Sequence, residues 1–596
     1  MLYRYYQLFF VMFLSFRSIR AYIYKAGSGA QTSVASPPSS SSSSSSTLKF
    51  PLFRTYAKLS GGGNSESYRY DAVTRRNIIE DSLFCAVPPE DSHEVCVVTK
   101  SSYDSWISTR TPITKAWMKD LGISSAKFPS SKIIKMPVIN VDEVDEGGSL
   151  SPSTMKHFLF VDDSANHSAV FDKVWSGLGS NKTFELKTFD NSEVDAELST
   201  KLMTSFALSS YQFDAFKSAK GKPQSKLVWL PQARKKEVLS IARAYTTMKD
   251  LVNLPAMQLG PADIERAIKD MSVDWKAEIN SVIGVESLLE SNYPQIAAVG
   301  MAADISRSPR IVELQWRCAN AKSTVVIIGK GVTFDTGGLN MKSGGGMRQM
   351  KKDMAGSAQA IALAGLVIEN KLPLNVVLLV PLVENSISGI ALRPGDVISA
   401  RNGKTTEITN TDAEGRLILA DAIVRATELD PDFILDFATL TGAARVALGA
   451  DLPAVFSNDL DKLTDIWKLS VEVDDPLWMM PLHKKYKSML QVSKVADMVN
   501  AVEGGLGGAI TAALYLSEYL NSRKSTPSTD EQGNVCEDAD DDEDESRISN
   551  DFKSEKKEPL WVHVDFMGMR QGLGEPQGLR AMYEYIKKTF VSQPAK

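Results

Sequence analysis

The octapeptide NTDAEGRL at 410–417 sets two carboxylates, Asp412 and Glu414, two residues apart, with Gly415 and Arg416 behind them. Upstream, GKGVTFDTGGLNMK (329–342) carries Lys330, Asp335 and Lys342, and MKKDMAG (350–356) carries Asp353. Taken singly, each has an ordinary reading. Asp353 suits the first turn of a helix, where acids are favoured, and the GKG and TGG glycines suit a turn. The phosphate-loop pattern GxxxxGK[ST] is not present. Taken together, these acids and lysines on one strand edge would repel or desolvate each other unless something organises them. Two divalent cations bridged by carboxylates do that, and they position and ionise a water. An oxygen-rich set with a lysine amine suits Zn, Mn, Co or Mg. The chain has only five histidines, with no HExxH pattern and no Cys/His cluster, so carboxylates must carry most of any ligation.

These residues need elements to bring them together. STVVIIG (323–329) and NVVLLVPLVEN (375–385) are continuous apolar runs rich in β-branched residues, which suits strands buried on both faces. DFILDFATL (432–440) and WVHVDF (561–566) read as further strands. Helices are expected over 235–253, 353–370, 415–429, 505–520 and 579–590. Alternation of strand and helix argues a largely parallel sheet with helices on its faces. Ligands then bind beyond the carboxyl ends of the strands. Lys330 and Asp335 come off one strand end, Asp353 opens a helix, and Asp412 and Glu414 follow the strand-like TTEITN before Arg416 begins another helix.

With 596 residues the chain exceeds one ordinary core, so two domains with tails are expected. Residues 1–70 hold an apolar run short of a membrane span, resembling a signal-peptide core, and the low-complexity SPPSSSSSSSS (36–46). They are read as a disordered or targeting extension. Residues 71–230 read as an N-terminal α/β domain with strands at 94–100, 132–139 and 156–162 and no chemical motif. Residues 235–596 form the motif-bearing domain, interrupted by a polar insertion at 521–559 read as disordered. The insertion's acidic run at 537–545 lacks the spaced ligands and turn glycine of a calcium loop. Cys85, Cys96, Cys318 and Cys536 make no CxxC pair, and buried thiols are expected for Cys85 and Cys96. The formal net charge of −5 offers no basic field for nucleic acid.

GKGVTFDTGG, MKKDMAG and above all NTDAEGRL resemble the leucyl aminopeptidase family, also called cytosol aminopeptidases, whose signature octapeptide is NTDAEGRL. The resemblance covers residues 235–596 and reaches 71–230 only by position and length. It implies a smaller N-terminal α/β domain and a larger C-terminal catalytic α/β domain with a mixed, largely parallel sheet flanked by helices. It implies a two-metal aminopeptidase that releases leucine and other mostly apolar N-terminal residues from peptides. One metal would be held by Lys330, Asp335, Asp353 and Glu414, the other by Asp335, Asp412 and Glu414. The substrate's α-amino group would meet the first metal and Asp353. Lys342 would stabilise the developing oxyanion, and Arg416 would hold a bicarbonate acting as general base. DFATLTGA (436–443) resembles the family's substrate segment, so Thr439, Leu440 and Gly442 would line the cleft, with Met350 and Met567 at the side-chain pocket. Met567 departs from the alanine common in relatives, and His563 is read as structural.

The resemblance further implies a homohexamer in the cytoplasm with peptide substrates and no stable membrane anchoring. The N-terminal extension would instead fit an organellar or secretory route. A non-enzymatic DNA-binding or scaffold role is the competing reading, disfavoured by the charge balance and the intact polar set. A two-metal phosphoesterase is disfavoured by the lysine and the complete octapeptide.

Overall fold

The computed structural model describes residues 79–520 and 558–591, except 111–114, 116–117, 120, 122, 128–131, 138–154, 162–174, 176–177, 179, 189, 191 and 219–223. The N-terminal extension through residue 70, Cys536, and residues 521–557 of the insertion therefore lie outside the described residues.

The first part of the chain builds a six-stranded sheet from β1 (Phe84–Cys85), β2 (His93–Thr99), β3 (Lys132–Pro137), β4 (Met155–Val161), β5 (Thr183–Thr188) and β6 (Lys226–Val228). Its order is β1-β6-β5-β2-β4-β3, parallel throughout except the β3 edge. Helix Ala196–Ser209 covers one face and is capped by Asp195, which accepts from the amides of Glu197 and Leu198. Its Leu202, Met203 and Phe206 pack with Val95, Leu159, Phe184 and Leu227. Trp106, Phe158 and Phe160 fill the other face.

A nine-stranded sheet follows, built from β7 (Glu278–Ile283), β8 (Arg310–Trp316), β9 (Thr324–Gly329), β10 (Gly331–Asp335), β11 (Asn375–Asn385), β14 (Phe433–Ala438), β15 (Ala454–Ser457), β16 (Trp478–Met479) and β18 (Leu560–Asp565). Between these strands, β12 (Val397–Ser399), β13 (Thr405–Glu407) and β17 (Met498–Val499) make a small separate sheet. In the large sheet β18, β14, β9 and β11 run parallel, and β8, β7 and β15 run against their neighbours. The sheet is mixed with a parallel centre, as the alternating pattern predicts.

The apolar runs divide by pleat. Val325 and Ile327 of β9 face the helices Lys235–Asn253, Pro261–Trp275, Ala355–Glu369 and Leu579–Phe590. Val326 and Ile328 face Pro294–Gly300, Gly415–Glu428 and Gly508–Ser517. Period-two alternation in an all-apolar strand thus feeds two cores, each side chain contributing roughly 1.5–3 kcal/mol of burial. Among the described residues no helix is long and apolar enough to cross a membrane.

Two expectations are corrected here. Cys85 and Cys96 are only partly buried: Cys85 ends the two-residue edge strand β1, and Cys96 lies mid-strand in β2, packed at the margin of the Trp106–Phe158 cluster. Asp353 does not open the long helix. It sits in a 3-10 turn, Met350–Met354, and the α-helix begins at Ala355.

That helix start presses on the sheet. A Cβ on Gly356 would fall 2.2 Å from the Phe437 carbonyl oxygen and 2.9 Å from the Lys330 nitrogen. Both are buried backbone atoms, joined to each other by the Lys330 N–H to Phe437 carbonyl hydrogen bond, and cannot yield cheaply. Gly356→Ala is expected to lower stability by about 1–3 kcal/mol through overpacking, read as a lower denaturation midpoint at unchanged m-value.

Candidate active site

The polar residues gather at the carboxyl ends of the parallel strands. Lys330 follows β9 directly, Asp335 is the last residue of β10, Asn385 the last of β11, and Asp565 the last of β18. Thr439 follows β14. Register keeps these ends level: Asp335 pairs with Asn385, Phe437 with Gly329, and Ala438 with Asp565. Two helices begin at the same edge. Glu414 is the N-cap of Gly415–Glu428, and Asp353 lies one residue before the cap of Ala355–Glu369, so each acid sits near a helix N-terminus, where the dipole favours negative charge.

Asp335, Asp353 and Glu414 are buried and bring one oxygen each within 4.8 Å of one another. Among the described residues no other set of acidic, histidine or cysteine side chains does so. Lys330 Nζ lies 2.7 Å from Asp353 Oδ2 and 2.9 Å from Glu414 Oε1. Lys342 Nζ lies 2.7 Å from Asp335 Oδ2 and also pairs with Asp412 Oδ1. Asp412, about a third exposed, stands at the rim. The seven-residue polar set therefore falls into two lysine-centred halves and Arg416, which is buried and donates from Nη1 to the Asn500 carbonyl.

Burial works against the Lys330 ammonium, but the charges of Asp353, Glu414 and Asp335 outweigh it and hold its pKa above the ordinary lysine value. Lys342 is raised in the same way, burial being overcome by Asp335 and Glu414. Burial and the neighbouring Asp335 push Glu414 up to about 8. Burial and Asp353 push Asp335 up to about 6. For Asp353 burial is outweighed by Lys330 and Lys352, which keep it below the usual carboxylate range. Burial lowers Arg416.

The set is not satisfied by its own hydrogen bonds. Glu414 Oε2 and Arg416 Nε are buried without a hydrogen-bond partner, and Asp353 Oδ2 and Asp412 Oδ1 have a lysine nearby but no oriented hydrogen bond. Unpaired buried carboxylate oxygens are costly. Oxygens of this kind, with an amine among them, are the donor set of a divalent cation.

Two of the residues that hold this set, Asn385 and Asn500, were missed from the sequence, and Thr439 was read only as a cleft residue. Asn385 Nδ2 donates to Asp335 Oδ1 (2.9 Å) and to the Thr411 carbonyl (3.2 Å), tying the acid of β10 to the octapeptide. Thr439 Oγ1 donates to Asp353 Oδ1 at 2.7 Å. Asn500, fully buried after β17, accepts from the amides of Thr409 and Asn410 and donates to the Asn410 carbonyl. A polar residue closing the apolar run of β11 was a signal for Asn385. Nothing local marks Asn500. Gly415 has its own reason: a Cβ there would lie 2.4 Å from Lys330 Cε, so the lysine stem runs across it.

Of the expected cleft residues, Thr439 is buried, Leu440, Met350 and Met567 are half-buried, and Gly442 is exposed at the start of helix Gly442–Leu448. Asp335 ends a short strand rather than a glycine loop, because Gly331–Asp335 pairs with β11. His563 is buried, its Nδ1 2.5 Å from Asp436 Oδ1, with Trp561 Nε1 on the other carboxylate oxygen at 2.8 Å. It takes no part in the carboxylate group.

The mixed sheet covered by helices on both faces is the fold of the two-domain aminopeptidases. Residues 246–582 match the model of the cytosol aminopeptidase family, catalytic domain, and the chain belongs to that family. It is 41% identical over 330 residues to a probable cytosol aminopeptidase of Rhodococcus jostii, a match covering 53% of this chain and 64% of that relative's length. The crystal structure of the Coxiella burnetii cytosol aminopeptidase superposes with a TM-score of 0.67 at 32% identity, covering 85% of this chain and 99% of that one. The bottromycin maturation enzyme BotP in complex with Mn gives a TM-score of 0.64 at 27% identity, covering 84% and 99%.

Proposed function

We propose that this protein is a two-metal aminopeptidase that hydrolyses the first peptide bond of peptides, with leucine and other mostly apolar residues preferred at the N-terminus. The carrying observation is the buried cluster of Asp335, Asp353 and Glu414 beside Lys330, in which Glu414 Oε2 has no hydrogen-bond donor. Lys330, Asp335, Asp353 and Glu414 would hold one divalent ion, and Asp335, Asp412 and Glu414 a second. Zn or Mn is proposed, with Co or Mg also compatible with the donors. The manganese in BotP supports the choice of metal class. Such ions supply Lewis-acid polarisation of the scissile carbonyl and lower the pKa of a water.

The chain's own groups do the rest. Asp353 receives the substrate's free α-amino group, which restricts cleavage to an N-terminus. Lys342 donates to the carbonyl oxygen as negative charge develops there. Arg416, whose Nε has no hydrogen-bond partner, would hold a bicarbonate, which would supply a general base. Thr439, Leu440 and Gly442 position the peptide, and Met350 and Met567 bound its first side chain. A homohexamer with residues 71–230 and 235–596 as separate domains, in the cytoplasm, is part of the same reading.

The reading is tested by offering the metal-loaded protein a leucyl peptide and its N-acetylated form. Release of leucine from the first only is expected, and equal cleavage of both would refute the aminopeptidase assignment. Lys342→Ala should lower kcat by about 10²–10³ while bound metal, measured by elemental analysis, stays constant. Met567→Ala should enlarge the pocket, raising kcat/KM for phenylalanyl relative to alanyl amides at least about tenfold. An unchanged ratio would place Met567 outside the pocket.

A further inference from the structure

We propose that Asp565 is a positioning residue that sets the distance between the two walls of the substrate cleft and so governs which first side chain is accepted. The proposal rests on the aminopeptidase reading.

Asp565 ends β18, beside β14 in register with Ala438, and is 2% exposed. Both carboxylate oxygens are used. Oδ1 accepts from the Leu440 amide (3.0 Å) and Arg445 Nη1 (2.6 Å). Oδ2 accepts from the Thr441 amide (3.1 Å) and Thr441 Oγ1 (2.6 Å). The backbone leaving β14 is therefore wrapped around a side chain that belongs to β18. Arg445 completes the tie, donating also to the carbonyls of Thr441 and Phe566.

The opposite wall starts two residues further on. Met567 and Gly568 donate their amides to Gln577 Oε1, each at 3.1 Å. Gly568 is pressed so near the first wall that a Cβ there would lie 3.1 Å from Thr439 Cγ2. Thr439 in turn holds Asp353. Leu440 and Thr441 are thus tied to the Asp565 carboxylate, and its guanidinium partner Arg445 ties the Phe566 carbonyl at the head of the 566–568 turn, whose next two amides are held by Gln577. A residue that only satisfied loop amides could stand anywhere. This one stands between the groups proposed to contact the substrate.

The charge state of the acceptor matters. Leu440 N–H, Thr441 N–H and the Arg445 guanidinium can only donate, and only the Thr441 hydroxyl can reverse. In Asp565→Asn the new NH2 must face either Leu440 and Arg445 or Thr441, so one side of the wrap opens whichever way the amide turns.

The test compares wild type with Asp565→Asn, both metal-loaded, on leucyl, alanyl and phenylalanyl amides. Bound metal and amide hydrogen exchange over 439–445 are measured in parallel. Bound metal should stay constant, exchange over 439–445 should rise, and the leucyl-to-alanyl ratio of kcat/KM should change at least about tenfold. Arg445→Lys leaves Asp565 in place but loses the second donor to Phe566. It should move the same ratio in the same direction, and it decides the matter if Asp565→Asn does not fold. An unchanged ratio, or an equal loss on all three amides, overturns the role of Asp565 while wild-type activity leaves the enzyme reading intact. A wild type inactive on every amide refutes that reading and the proposal together.

Discussion

Lys330→Arg is expected to fold, keep a cation beside Asp353 and Glu414, and bind no divalent ion at that half of the site. A lysine ligates only as the neutral amine, and arginine cannot be deprotonated in a protein. In the structure Lys330 Nζ is paired with two carboxylates, Asp353 and Glu414, and their charges with that of Asp335 hold its pKa above the ordinary value. A divalent ion among the same oxygens reverses that balance, because its charge disfavours the ammonium. The guanidinium is also bulkier, and the Lys330 stem already runs against Gly415. Lys330→Met, close to lysine in length and without an amine, controls for that bulk. Both variants should lose hydrolysis by more than the ~10²–10³-fold that removing one oxyanion donor costs. Full metal content and activity in either would remove Lys330 from the ligand set.

Glu414→Ala is the second large effect. Glu414 is 2% exposed, at the helix start, in the cluster with Asp335 and Asp353, and proposed to bridge both ions. Its removal takes a ligand from each half at once, whereas Asp412→Ala takes one from the rim alone. Bound metal should therefore fall from two equivalents to below one, and hydrolysis should fall below detection. The carboxylate is also a burden, since burial and Asp335 push it up to about 8. Removing it relieves that repulsion, so the unloaded variant should melt no lower than the unloaded wild type. Loss of activity with both metals retained would leave Glu414 a catalytic or structural role only.

The elements that carry the site were legible because their patterns are local. The helix at Lys235–Asn253, the strand at Asn375–Asn385 and the final helix at Leu579–Phe590 have the bounds read from their periodicity. The short strand Gly331–Asp335 was not legible. Its five residues lie between glycines, and its pairing with β11 is set by residues about fifty positions away. The gathering of the acids and lysines was legible for a different reason: such residues have few other uses at the end of an apolar strand. What holds them was hidden. Asn500 reaches Asn410 across 90 positions and Asp565 reaches Leu440 across 125, and neither residue has a local pattern that announces a partner.

The most direct measurement is hydrolysis of leucyl amide by metal-stripped protein titrated with Mn, run beside Glu414→Ala. Activity that rises to saturation near two equivalents per chain, and is lacking in the variant, is the result predicted by a carboxylate–lysine centre holding two ions. No release of leucine at any metal content, from folded protein, would contradict it.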